Sequence, residues 1–373
     1  MIKRPLIFIP GIMGSKLAIK EGNFLDSFWP PIQPELSFSN AVNKILNGLK
    51  TKVRTNVDEE VSVQATDLFP MAYDAILGAI NQWGYILNIN FWTFPYDWRQ
   101  SNEISAQLLT EFIKQKIKDT NWNDVDIICH SMGGFITRAA FKLGAPIKRT
   151  IYIASPHFGS PLSYFTINPE IRIEDFTNSF EQLAIETIWS SFFIGGGETD
   201  LERQLKEIFG SFPSMYELLP DDFYLDKNPM IFNNNQPIKG VNNTYLNNPW
   251  RFKDEDMINK VTKAMEFKKR LGEELPGNDE DILLIYALDR VTFNTIQYFS
   301  NDLSNTNNNK LLFSNPVDSG EHGDTWVPTK SAMASMSGIP KYKNSNSISD
   351  IHTMISNNIN TINEIREFLS SAD

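Results

Sequence analysis

The chain has 373 residues, 41% of them hydrophobic, which is enough for one large α/β domain with insertions and too apolar for a mainly disordered protein. Its formal net charge of −11 repels phosphate backbones and anionic lipid surfaces, so nucleic acid is excluded as the expected partner. A single cysteine, Cys129, and the absence of a Cys/His cluster at zinc spacing exclude a disulfide scaffold and a structural zinc site, and no cofactor or metal is expected.

Near the N-terminus, the apolar run Leu6 to Ile9 reads as a buried strand that ends at Pro10-Gly11. It is too short for a secretory core or a ~20-residue membrane span, so the chain reads as soluble, and as cytoplasmic unless a leader has been removed. A helical pattern over residues 69–83 precedes a second strand at 85–95 (YILNINFWTFP). After a helix around 105–118, residues 124–129 (DVDIIC) form a central strand, with a run of apolar residues that suits burial on both faces. A helix over 133–142 follows at once, strands at 149–154 and 281–288 come next, and a helix over 358–369 closes the chain. This alternation predicts an α/β fold, a mostly parallel sheet with helices on both faces.

Two stretches break the rhythm. Residues 19–65 read as a polar, irregular, lid-like insertion, and residues 161–280 as a helical cap laid over the strand ends. The expected organisation is therefore a core from 1–160, a cap from 161–280 and a second core segment from 281–373.

The chemistry gathers at Cys129-His-Ser-Met-Gly-Gly134. A serine between a buried strand and a helix, with small residues two before and two after it, is the pattern of a nucleophile elbow, in which the turn thrusts Ser131 outward and bulk at 129 or 133 would clash with backbone. Cys129 replaces the first glycine of the usual G-x-S-x-G. Such a serine needs a base and then an orienting acid, following it in the chain order Ser, Asp/Glu, His. Of four histidines, His130 is the elbow neighbour pointing away from the hydroxyl, His157 precedes every candidate acid and His322 lies just before Asp324. His352, in a loop running into the last helix, remains as the base. For the acid, Asp324 in Gly323-Asp-Thr-Trp-Val-Pro328 and Asp289 at the end of a strand both stay open, and a metal held by Glu321, His322 and Asp324 is the weaker alternative. The oxyanion formed on attack needs two backbone N–H donors, expected from Met132 and from Ile12 in the turn after the first strand.

Six blocks now carry a resemblance: Ile9-Pro-Gly-Ile-Met-Gly-Ser-Lys-Leu17, Pro95-Tyr-Asp-Trp-Arg99, His130-Ser-Met-Gly-Gly134, Phe212-Pro-Ser-Met-Tyr-Glu-Leu-Leu-Pro220, Gly323-Asp-Thr-Trp-Val-Pro328 and the His352 segment. In this order they resemble the lecithin:cholesterol acyltransferase family, which includes lysosomal phospholipases and phospholipid:diacylglycerol acyltransferases. The resemblance implies an α/β-hydrolase with cap and lid acting on acyl esters of lipids, with Ser131, Asp324 and His352 as its triad, and so prefers Asp324 to Asp289. The chain departs from the family in lacking a lid disulfide and in reading G-D-T-W-V-P where G-D-G-T-V-P is usual. Tyr96, Asp97 and Arg99 are read as an ion pair and packing near the site.

For the substrate, Trp29 is expected to touch a lipid interface, and Trp189, Phe192 and Phe193 to form a mobile apolar flap hinged on glycines. The expected activity is that of a serine lipase or phospholipase with an acyl-serine intermediate, making transient contact with a lipid surface. An acyltransferase passing the acyl group to an alcohol is the alternative, and an inactive hydrolase fold used for binding is the third reading.

Overall fold

A computed structural model of the chain describes residues 3–30, 38–118, 120–169, 199–248, 251–292, 295–298, 311–312 and 322–371. Six strands pair in parallel in the order Asn344–Ser347, Ile282–Tyr286, Ile147–Ile153, Val125–His130, Leu6–Ile9, Phe91–Thr93. Successive side chains of a strand point to opposite faces, and here both faces are apolar. On one, Ile7, Ile9, Ile127 and Cys129 join Leu109 and Ile113 of helix Asn102–Ile117 and Phe135 and Ile136 of helix Gly133–Lys142. On the other, Leu6, Phe8, Ile128 and Ile151 meet Ile76 and Ile80 of helix Pro70–Gln82 and Ile362 and Ile365 of helix Ile359–Ser370. This is the α/β-hydrolase architecture, a parallel sheet covered on both sides.

The strand expected over 85–95 shrinks to Phe91–Thr93. Asn88 takes a left-handed conformation at φ 64°, and the Asn90 side chain accepts the Ile86 N–H at 2.6 Å, so a turn consumes the first half of the run.

The first insertion is more regular than its composition suggests. Ser15–Glu21 pairs antiparallel with both Phe24–Trp29 and Val63–Leu68, and helix Phe38–Leu49 follows the hairpin. Arg99 ties this unit to the core. Its buried guanidinium grips Asp97 through Nε (2.9 Å) and Nη2 (2.7 Å), while Nη1 donates to the carbonyls of Gly48, Leu49 and Thr51. A cation at a helix C-terminus satisfies carbonyls that have no partner within the helix. Removing it would strand buried Asp97 as well, at a cost of about 3–5 kcal/mol.

Within 161–280 the described elements are mainly helical, from Pro161–Ile167 through Thr199–Phe209 and Pro213–Glu217 to the long helix Glu255–Leu271. A small hairpin, Ile231–Asn233 with Gln236–Ile238, interrupts them, and its first strand pairs in parallel with Ile296–Tyr298. A small sheet thus draws on residues on both sides of position 280.

Candidate active site

Ser131 stands at the carboxyl end of the central strand Val125–His130, immediately before helix Gly133–Lys142. Its φ of 53° lies in the left-handed region, which costs a side-chain-bearing residue roughly 1–2 kcal/mol and persists only where the surroundings impose it. They do so by close approach. A Cβ on Gly133 would stand 2.7 Å from the Pro10 carbonyl oxygen, and one on Gly134 2.4 Å from Ser155 Oγ. Cys129, two residues before the serine, is fully buried and fits where the usual pattern has glycine, its thiol directed to the Ile151 carbonyl at 3.4 Å.

His352 Nε2 lies 2.8 Å from Ser131 Oγ and His352 Nδ1 lies 2.7 Å from Asp324 Oδ2. A carboxylate only accepts, so Nδ1–H donates to Asp324 and Nε2 is left to accept the serine proton. All three residues are buried. Asp324 is held in turn by the backbone N–H groups of Trp326 (3.0 Å) and Val327 (2.7 Å) on Oδ1, and its own carbonyl accepts the His352 N–H at 2.8 Å. Asp289 is elsewhere, exposed and engaged by Ser349 Oγ and Arg290. Thr325 explains the departure from the usual acid block: its φ of 86° is the conformation that favours the glycine usual at that position, and Thr292 Oγ1 accepts its N–H at 3.1 Å.

A second network was not legible in the sequence. The Gly11 N–H donates to Tyr73 Oη (2.9 Å), Tyr73 Oη meets His130 Nδ1 (3.0 Å), and His130 Nε2 meets the His352 carbonyl (3.1 Å). Since the carbonyl only accepts, Nε2–H donates and Nδ1 accepts the tyrosine proton. Burial, followed by the nearness of His352, drives His130 well below the usual histidine range, so it serves as a neutral strut. The sequence signal for Tyr73 is only its place three and seven residues before Ile76 and Ile80 on the buried stripe of its helix.

The turn after the first strand lies against the elbow, where a Cβ on Gly11 would come within 2.8 Å of Ser131 Cβ. Ile12 borders the same crevice as Ser131, and Met132 precedes the first residue of the helix. The PYDWR block fastens this turn: Tyr96 Oη donates to the Pro10 carbonyl (3.0 Å) and Trp98 Nε1 to the Ser15 carbonyl (3.2 Å).

Ser131 and His352 open onto a narrow crevice of about 60 Å³, walled by Ile12, Leu162, Met215, Leu218 and Trp326. Met215 and Leu218 come from the FPSMYELLP block, whose Glu217 carboxylate accepts from Ser101 Oγ and Asn102 N–H, both at 2.6 Å. Trp29 does not meet the expectation of a lipid-facing residue. It is 3% exposed, packs edge-on against Trp98 and donates its indole N–H to the Met13 carbonyl at 2.9 Å, because the hairpin pairing turns it into the core. Trp189, Phe192 and Phe193 lie outside the described residues, as does Glu321 of the metal alternative. Among the described residues, no group of three His, Cys, Asp or Glu side chains is arranged to hold a metal, and no helix is long and apolar enough to cross a membrane.

Residues 57–171 match the family described as lecithin:cholesterol acyltransferase. No curated protein matches the sequence. Among solved structures, a chain of the Tle4–Tli4 complex aligns at 15% identity and a TM-score of 0.65 over 100% of this chain and 100% of that chain, which speaks for the fold. Bacillus licheniformis lipase BlEst2 in its mature form aligns at 12% identity and a TM-score of 0.40 over 98% of this chain and 92% of that chain. The matched residues include the PYDWR and HSMGG blocks and the elbow serine at the end of a parallel strand, so over this segment the chain is similar to the lecithin:cholesterol acyltransferase family, and its fold is that of an α/β-hydrolase.

Proposed function

We propose that this protein is a serine lipase or phospholipase that hydrolyses acyl esters of lipids through an acyl-Ser131 intermediate. The family match supports an activity on lipid esters. The observation that carries the finer reading is the unbroken hydrogen-bonded chain from Ser131 through His352 to Asp324, at 2.8 and 2.7 Å, opening on an apolar crevice. In this reading Ser131 Oγ attacks the ester carbonyl while His352 Nε2 takes its proton, and Asp324 holds the tautomer and stabilises the imidazolium. The backbone N–H groups of Ile12 and Met132 receive the oxyanion, and His352 returns the proton to the leaving alcohol. A water activated by the same histidine then releases the fatty acid. The apolar walls of the crevice suit an acyl chain, and contact with a lipid surface is transient.

A fluorophosphonate probe should label the wild type at Ser131 and leave Ser131→Ala unlabelled, and turnover in a lipid-extract screen should vanish in that variant. A wild type that neither labels nor turns over any ester would be a binding protein on a hydrolase scaffold. The family description favours one second reading, transfer of the acyl group to an alcohol. With a medium-chain ester donor and excess long-chain alcohol, hydrolysis predicts free fatty acid in excess, and an alkyl ester as the main product would replace it with acyl transfer.

A further inference from the structure

Trp326 stands where the usual acid block has threonine, and its ring does something the other wall residues of the crevice do not. It lies nearly parallel to the His352 imidazole, with ring centroids 5.3 Å apart and an interplanar angle of 11°. Among the described residues the other aromatic neighbour of His352 is His130, 4.9 Å away at 37° and kept neutral by burial, so it adds no cation beside the base. We propose that Trp326 is a positioning residue for His352, fixing the imidazole plane between Ser131 and Asp324 and stabilising the imidazolium with the electron-rich indole face. This rests on the triad reading above.

Three observations carry it. His352 is 3% exposed, so the cation formed when it takes the serine proton has lost water and must be stabilised by the protein. Asp324 supplies one contact, in the plane of the ring, and an aromatic face supplies the other, perpendicular to it. The backbone that carries the indole is also anchored: the Trp326 main-chain N–H donates to Asp324 Oδ1 (3.0 Å) and the Trp326 main-chain carbonyl accepts from Ser160 Oγ (2.5 Å), so the same short segment holds the acid and carries the stacking ring. Because those anchors are main-chain groups, side-chain substitutions leave them available.

The test compares Trp326→Leu, which keeps apolar bulk without a π face, with Trp326→Phe, which keeps a face. On a short-chain p-nitrophenyl ester, whose acyl group makes little use of the crevice wall, Trp326→Leu should lower kcat about ten-fold with KM nearly unchanged, and Trp326→Phe should recover most of it. In spectra of histidine-labelled protein, the ring-proton resonance of His352 should carry an upfield ring-current shift that Trp326→Leu removes and Trp326→Phe retains. A wild-type kcat in Trp326→Leu, a Trp326→Phe no better than Trp326→Leu, or an unmoved His352 resonance would each overturn the proposal. Ser131→Ala run alongside separates the two readings: activity surviving in it overturns the triad and this proposal together, whereas an inactive Ser131→Ala beside an unaffected Trp326→Leu overturns this proposal alone.

Discussion

The elbow at Ser131 and the loop at Asp324 both hold a side-chain-bearing residue in the left-handed region, Ser131 at φ 53° and Thr325 at φ 86°, but by different means. At the elbow, strand and helix are consecutive in the chain, and Gly133 and Gly134 let the helix start close against the backbone at Pro10 and the Ser155 side chain. At the acid loop the restraints arrive from afar: Thr292 on Thr325, Ser160 on Trp326, and the His352 N–H on the Asp324 carbonyl. A strained site built from neighbours in sequence has a compact signature. One built by remote partners has geometry only once the rest has folded.

The largest expected effect removes the group at which both regions converge. Ser131→Ala should lower kcat for p-nitrophenyl esters on the order of a million-fold, leaving a small residue of catalysis from the oxyanion hole, and near wild-type turnover would remove Ser131 as nucleophile. Asp324→Asn probes the remote region. It should cost about ten-thousand-fold in kcat by presenting the wrong histidine tautomer, while Asp289→Asn should cost far less. If the ranking inverts, the hydrogen bond between Asp324 and His352 is not what orients the base.

The segment beside the crevice offers a smaller, pH-dependent test. Burial pushes the Glu217 carboxyl up to about 7, even though Ser101 and Asn102 donate to it. The folded protein binds this proton more tightly than the unfolded chain. Its contribution is therefore complete below the ordinary carboxylate range and is lost as pH rises through about 7. Denaturation of Glu217→Gln, which lacks this titration, should show it gaining on the wild type by roughly 3 kcal/mol between acid and mildly alkaline pH. A pH-independent gap would mean that the carboxyl ionises in the fold as it does in the unfolded chain.

Two backbone substitutions sharpen the contrast at the low end. Gly133→Ala places a methyl group 2.7 Å from the Pro10 carbonyl oxygen and should destabilise by about 2 kcal/mol, with activity falling as the elbow shifts. Thr325→Gly relieves a strained φ and gives up a side chain, and should change stability by less than about 1 kcal/mol in either direction. Equal damage from both would erase the distinction between the regions.

By itself the sequence determined the local features of this protein. Short apolar runs such as Leu6–Ile9 and Ile127–Cys129 marked the central strands, the close succession of strand, Cys129-His-Ser-Met-Gly-Gly134 and helix marked the elbow, and four histidines with one in the right chain order left His352. These are short-range properties, set by the period of the backbone and by which residues fit a tight turn. The rest was decided in three dimensions. Asn88 and Asn90 shortened an apolar run that read as a strand, and strand register sent Trp29 inward although its neighbours looked like an exposed insertion. Arg99 could be read as half of an ion pair with Asp97, but not as the cap on a helix 50 residues earlier. The Tyr73–His130 strut and the stack of Trp326 on His352 join residues far apart in the chain, so no local pattern records them. A side chain's partners across the sheet are fixed by how helices and loops pack on it, and that packing exists only in the folded molecule.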